Sequence, residues 1–313
     1  MMLNLTKKIL DILVCPNCRG KLRISSGENL YCQLCNTFYK VTDNGNVDLR
    51  LEGIKKERIN FDIGHKFIIN ENIDLSKLIE KTNPEVHFDL NNIPTHLTKE
   101  VLSYFPKATS AESIVLDLGC GTTIHKEVCE RAGFNYVGID YENVKAPILG
   151  DAHSLPFQDN SIDFVLSVAV LEHIQYPFLM INEVFRVLQN GGTFIGSVAF
   201  LEPYHWESFY HYTHLGLINI LLFAGFEIEK IAPNETISVF DSQARLNYKI
   251  LFPRMPQKLA SLLIRFPQIA SNIWIDSINL IKGQNHFDKQ RYIYTSSFFF
   301  VAKKIVSHDS NGG

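Results

Sequence analysis

Long apolar runs are missing from this 313-residue chain. No window approaches the ~20 uninterrupted apolar residues of a membrane span. The nearest stretch, "LGLINILLFAGFEI", is too short. A strong charge of either sign is missing too. A net charge of −3 excludes a general attraction to nucleic acid or to an anionic bilayer, although a local basic patch stays open. Cysteine is scarce, and four of the six fall between positions 15 and 35, which argues against a secreted disulfide framework. The opening "MMLNLTKKILDILVC" has two lysines and an apolar run, but Asp11 interrupts it and no small-residue cleavage site follows. It does not read as a signal peptide, so a cytoplasmic protein is expected. With 46% hydrophobic and 20% charged residues, the chain can bury a full α/β core and carry one or two small modules.

Four regions differ in composition. Residues 1–52 hold paired cysteines and short polar turns, and 53–110 form a polar linker and helical lead-in that contains "IPTHLTKEVLSYFP". From 111 to 313, apolar runs alternate with amphipathic stretches, the pattern of a parallel sheet with helical crossovers. Seven strands are predicted at "SIVLDLG", "NYVGID", "APILG", "IDFVLSVA", "GTFIGSVAF", "FEIEKIA" and "RYIYTSSFFFVAKK". Helices are expected near 124–132, 177–189 and 214–224, and a helical insertion near 233–289, before the last strand.

Cys15, Cys18, Cys32 and Cys35 form two Cys-x-x-Cys knuckles thirteen residues apart. Two knuckles supply the four thiolates of a closed, tetrahedral, structural Zn²⁺ site. So small a segment cannot bury enough apolar surface to fold alone, so the metal would supply much of its folding free energy. The competing reading, a redox dithiol, needs one knuckle at a helix start. The segment "ILVCPNCRGKLR…YCQLCNTFYKVTDNGNVDLR" resembles the small zinc-ribbon family that activates tRNA methyltransferases as a separate subunit. It is also similar to the ribbon of some rRNA guanine methyltransferases. The resemblance implies contact with a methyltransferase domain or with RNA. Arg19, Lys21 and Arg23 read as a solvated, mildly basic edge.

"IVLDLGCGTT" is an apolar strand followed by glycines, which let the backbone turn sharply and approach a ligand. Asp140 ends the next strand, nineteen positions after Gly121, where a nucleotide site wants an acid for the ribose. This pair alone does not separate one adenosine ligand from another. Downstream, "GDAHSLPF", "SIDFVLSVAVLEHI" and "EVFRVLQNGG" follow in order. Together the pieces resemble the class I S-adenosylmethionine-dependent methyltransferases, in particular the type 11 group, over about 112–200. The resemblance implies an α/β fold with a seven-stranded Rossmann-like sheet, behind an N-terminal zinc ribbon. It also implies that Asp117, Gly119, Cys120 and Gly121 line the methionine part of S-adenosylmethionine. Asp140 would accept from both ribose hydroxyls, Asp151 from the adenine amino group, and the amide of Ala152 would donate to a ring nitrogen. Ser167 would contact the amino-acid end. Two departures stand out: Thr123 replaces a frequent glycine, and the link between Asp140 and Asp151 is too short for the usual helix. Tyr141 is then the candidate cover of the adenosine.

Methyl transfer from a sulfonium is an in-line displacement, so positioning supplies much of the rate, and a base is needed only if the acceptor must lose a proton. The candidate bases are His173, His205 and His211, with His214 beside them; for His173 the structural role of capping or orienting its loop is favoured over a catalytic one. The segment 201–214, rich in His, Tyr and Trp, suits a hydroxylated or sugar-like acceptor, or packs on the core. Glu183 and Arg186 read as structural. The stretch 251–282 has apolar residues at helical spacing with scattered Lys and Arg, and serves as a substrate cap or as a peripheral membrane contact. The expected function is methylation, O-methylation ahead of N-methylation, of a small molecule or a glycan, free or lipid-linked. An rRNA or tRNA base methyltransferase and a non-catalytic docking partner are the alternatives.

Overall fold

A computed structural model of the chain describes residues 4–25, 29–51, 53–61, 84–202, 207–234, 295–305 and scattered positions between 256 and 281. It opens with α1 (Lys7–Ile12), capped by the Thr6 hydroxyl, which accepts from the amide of Ile9. Three short strands follow, β1 (Leu22–Ile24), β2 (Leu30–Cys32) and β3 (Phe38–Tyr39), paired antiparallel in that order. The next strand, β4 (Val47–Asp48), lies outside this ribbon sheet.

The remaining elements are α2 (Lys99–Ser103), β5 (Ile114–Leu118), α3 (Lys126–Arg131), β6 (Asn135–Asp140), β7 (Ile148–Leu149) and β8 (Ile162–Val168). Then come α4 (Pro177–Val187), β9 (Leu188–Ala199), α5 (His214–Phe223), β10 (Phe226–Pro233) and β11 (Ser297–Lys304). One eight-stranded sheet runs in the order β10-β11-β9-β8-β5-β6-β7-β4. All seven expected strands are in it, and β11 lies antiparallel to both neighbours. The eighth strand is β4, which comes from the region expected to be a separate ribbon and pairs parallel with β7. Every residue of β5 is buried, as both faces of a crossover-connected parallel sheet must be. Ile114, Leu116 and Leu118 face one core cluster, and Val115 faces the other with α2 and α3.

The ribbon shares the first of these cores. Ile9, Leu13, Cys15 and Cys32 pack in one cluster with Ile148, Leu155 and Phe157. Leu13 bridges Phe157 antiparallel, and the amide of Val14 donates to the carbonyl of Pro156 at 3.0 Å. Arg19, expected to be a solvated charge, instead reaches Glu183 at 3.0 Å. Glu183 also accepts from the amide of Leu155 at 2.9 Å, and Arg186 donates to the carbonyls of Leu155 and Phe157. Both residues are thus the structural pair expected of them. They fasten the loop that follows Asp151.

The helical insertion near 233–289 and the cap at 251–282 fall mostly outside the described residues. Among the described residues no helix is long and apolar enough to cross a membrane.

Candidate functional site

Parallel strands end on one edge, and here that edge gathers the expected cofactor residues. After β5 the chain turns through Gly119 (φ +74°) and Gly121 (φ +50°), and the amides of Gly119 and Cys120 donate to the carbonyl of Ile139 at 2.8 and 3.1 Å. The amide of Gly121 donates to Oδ2 of Asp140 at 2.9 Å. Oδ1 of Asp140 accepts from the amides of Glu142 and Asn143 at 3.0 and 2.9 Å. A carboxylate offers about four lone-pair sites, so three backbone donors leave room for one ribose hydroxyl without rearrangement. Thr123 takes φ +62°, so the residue standing where glycine is frequent adopts the backbone that glycine adopts easily. The Gly119 position is the tighter constraint: an added Cβ would lie 2.3 Å from Cγ2 of Val170. We expect Gly119→Ala to cost roughly 2–5 kcal/mol, from the left-handed backbone and from overpacking. Urea denaturation checks this, and Gly119→Ala/Val170→Ala should recover only the steric part.

Asp117 supports the turn from the core side. It is buried, one oxygen accepts from Tyr136 Oη at 2.8 Å, and the other lies 3.6 Å from Nδ1 of His125. Burial and the neighbouring Asp117 carboxylate push the Tyr136 phenol well above its ordinary range. Cys120 is buried beside them, and burial, then Asp117 and Asp140, raise its thiol. It is a neutral packing group, not a nucleophile.

Asp140 and Asp151 stand at the ends of adjacent strands, β6 and β7, and no helix lies between them. Asp151 accepts on Oδ1 from the His153 amide at 2.9 Å and pairs with its Nδ1 at 2.7 Å. Burial opposes ionisation of Asp151, but the His153 ring and amide, and then the charge of Lys55, hold its pKa below the ordinary value. Among the described residues its Oδ2 has no partner, which leaves an acceptor suited to an exocyclic amino group. Ala152 is buried next to it, and Tyr141 is 55% exposed beside Asp140. Ser167, near the carboxyl end of β8, is buried with no partner for its hydroxyl among the described residues. A buried hydroxyl in that condition fits a ligand contact.

On the acceptor side, His173 ends a single helical turn, Leu171–His173, directly after β8. The segment 207–213 folds back on this turn: the amides of Phe209 and Tyr210 donate to the carbonyl of Glu172, and Tyr210 Oη donates to that of Gln175 at 3.1 Å. His173 is half-buried and His211 exposed. His205 lies outside the described residues. His214 packs edge-on against Phe298 in the first turn of α5, and burial lowers its pKa, so it stays neutral near pH 7.

The four knuckle cysteines converge. Their sulfurs all lie within 4.8 Å of one another, with Cys15–Cys35 at 3.6 Å and Cys18–Cys32 at 3.4 Å. Sulfurs on a tetrahedral zinc at 2.3 Å would stand about 3.8 Å apart, so the set fits that ion with little movement. None of the four forms a disulfide. Burial, and after it the neighbouring thiols, push Cys18 up to about 12, a cost that a bound cation removes. Four protein ligands leave no position for an activated water, so the site is structural.

Sequence reasoning missed Asp48, Arg50 and Lys55. Lys55 Nζ lies 2.9 Å from Ser154 Oγ, and Arg50 stands beside Tyr141. A strand of two residues, Val47–Asp48, carries no periodicity that could have signalled Asp48 or the Arg50 just beyond it.

Residues 116–196 match the family model described as a methyltransferase domain, of the type 11 group, and residues 6–44 match that of Trm112p-like protein. The chain is 28% identical over 148 residues to a Mycolicibacterium smegmatis protein named a probable S-adenosylmethionine-dependent methyltransferase, covering 40% of this chain and 54% of that one. It is 32% identical over 120 residues to an uncharacterized methyltransferase of a Mycobacterium species, strain KMS, covering 34% and 48%. The chain thus spans about half the length of these curated relatives. A solved complex between the Haloferax volcanii Trm112 methyltransferase activator and a protein described as a methyltransferase is similar at 17% identity and TM-score 0.44, covering 66% of this chain and 88% of that one. The stretch similar to a methyltransferase domain thus follows one similar to Trm112p-like protein.

Proposed function

We propose that the protein is an S-adenosylmethionine-dependent methyltransferase that methylates an oxygen of a small molecule or a lipid-linked glycan. The carrying observation is the row of groups along one sheet edge: the glycine turn bonded to Asp140, then Asp151 with a free oxygen, within the matched domain. The cofactor brings an electrophilic methyl group. The chain's own residues would bind adenosine at Asp140 and Asp151 and hold the acceptor near His173, which could take a hydroxyl proton. Tyr210 and His211, on the segment folded over that turn, are the polar aromatic groups that suit a sugar. The lipid-linked option draws on Leu259, Phe266, Ile269, Ile273, Leu280 and Ile281, all exposed, in a stretch (251–282) with four Lys/Arg and one Asp.

The second reading, RNA base methylation, is favoured by the Trm112p-like match at 6–44. Transfer of labelled methyl from S-adenosylmethionine into extracts of cells with and without the protein tests both. We expect a product in the glycan or lipid-extractable fraction that is lost without the protein. Label in rRNA or tRNA with a steep salt dependence would replace the first reading by the second. No cofactor binding by calorimetry would leave only a docking role.

A further inference from the structure

We infer that Arg50, supplied by the zinc-ribbon segment, forms with Tyr141 the outer wall of the adenosine pocket, so that the ribbon completes the cofactor site in cis. The inference rests on the reading of Asp140 and Asp151 as adenosine ligands. It begins with direction. β4 pairs parallel with β7, so its carboxyl end arrives at the same sheet edge as the two aspartates. The register sets Asp48 beside Leu149 and Leu149 beside Asp140, and the amide of Leu49 donates to the carbonyl of Leu149 at 2.7 Å. Continued by two residues, that register brings Arg50 level with Asp151.

The arginine is held ready. Its Nε and Nη2 donate to the two oxygens of Asp48 at 2.9 and 2.6 Å, a bidentate grip that fixes the guanidinium plane. Its Nη1 donates to the carbonyl of Tyr141 at 3.3 Å, and the guanidinium lies 5.9 Å from the centre of the Tyr141 ring. The Arg50 hydrogen bonds keep Asp48 ionised, with a pKa below the ordinary carboxylate value. The wall is needed here because the chain between Asp140 and Asp151 contains no helix to cover that end. A planar cation beside an exposed phenol offers a flat surface to a purine. The guanidinium nitrogen that Asp48 does not take is spent on the residue that follows Asp140.

The test is calorimetric binding of S-adenosylhomocysteine and of free adenosine to the full zinc-loaded chain, with thermal midpoints alongside. We expect Arg50→Ala and Tyr141→Ala each to weaken both ligands about 3- to 10-fold, the scale of a partly exposed cation–π or stacking contact. Arg50→Lys should recover only part of the loss, because the ammonium is not planar. Lys8→Ala, which removes a ribbon pair with Glu112 remote from this edge, should leave affinity unchanged. Unchanged affinity in Arg50→Ala, with the wild type binding, overturns the inference and spares the cofactor reading. A loss of affinity matched by a lowered midpoint in Arg50→Ala, without the partial recovery in Arg50→Lys, also overturns it, because that result describes a folding contact. A wild-type chain that binds neither ligand overturns the cofactor reading and the inference together.

Discussion

Stripping the metal from the cysteine cluster, or replacing Cys15 by serine, should lower the thermal midpoint of the whole α/β domain by about 10 °C or more. The argument starts from the size of the ribbon. Its strands are two or three residues long, and its buried side chains, Ile9, Leu13 and Tyr39 among them, pack into the core of the large sheet and not into one of their own. Structural zinc contributes roughly 10 kcal/mol or more to folding in modules this small, so without it residues 7–50 lose most of what orders them to make those contacts. The loss would not stay local. Cys15 and Cys32 are fully buried in the same core as Ile148 and Phe157, and β4 is the strand that covers the edge of β7. Losing even part of that shared core, about 4 kcal/mol, corresponds to a shift of roughly 10 °C in a domain of this size. The measurements are zinc content by mass spectrometry and calorimetric melting with and without chelator. Zinc content unaltered in Cys15→Ser would refute the metal assignment. Two separate transitions, with the larger one unmoved by chelation, would refute the shared core.

Much of this architecture is legible in the sequence, for identifiable reasons. Strands such as "SIVLDLG" and "IDFVLSVA" are buried on both faces, so their composition is mostly apolar and their limits fall at turns. The paired knuckles carry their own chemistry, because four thiols at that spacing have few other uses. What could not be read was contact between distant pieces. β4 and β7 are two residues each, too short for any period, and about one hundred positions separate them. Nothing local in "VDLR" says that it meets "APILG". Arg50 therefore drew no role, and Arg19 read as a solvated charge, although one reaches Tyr141 and the other Glu183. The candidate site was half legible in the same sense. The positions of Asp140 and Asp151 followed from strand ends, but the donors already occupying their oxygens follow only from the folded loops.

Those donors make Asp140 the position of largest expected effect on cofactor binding. Asp140→Ala should weaken S-adenosylhomocysteine about 10- to 150-fold, the value of one hydrogen bond to a charged acceptor. Two losses combine there. The ribose hydroxyl loses its acceptor, and the amides of Gly121, Glu142 and Asn143 lose the carboxylate that ties the glycine turn to the end of β6. Asp140→Asn discriminates between these contributions. An asparagine keeps the shape, but one of its two ends becomes an NH2 donor, facing either the Gly121 amide or the pair from Glu142 and Asn143. Whichever way it turns, donor meets donor, so we expect Asp140→Asn to bind no better than Asp140→Ala. Asp151→Ala should cost less, because Asp151 would give the ligand a single contact from its free oxygen while the other stays with His153. Calorimetric titration of the three variants, each first checked for an unshifted melting midpoint, decides the matter. If Asp140→Asn bound within threefold of the wild type, Asp140 could not be the ribose acid, because the amide sets a donor against backbone donors that the carboxylate alone satisfies.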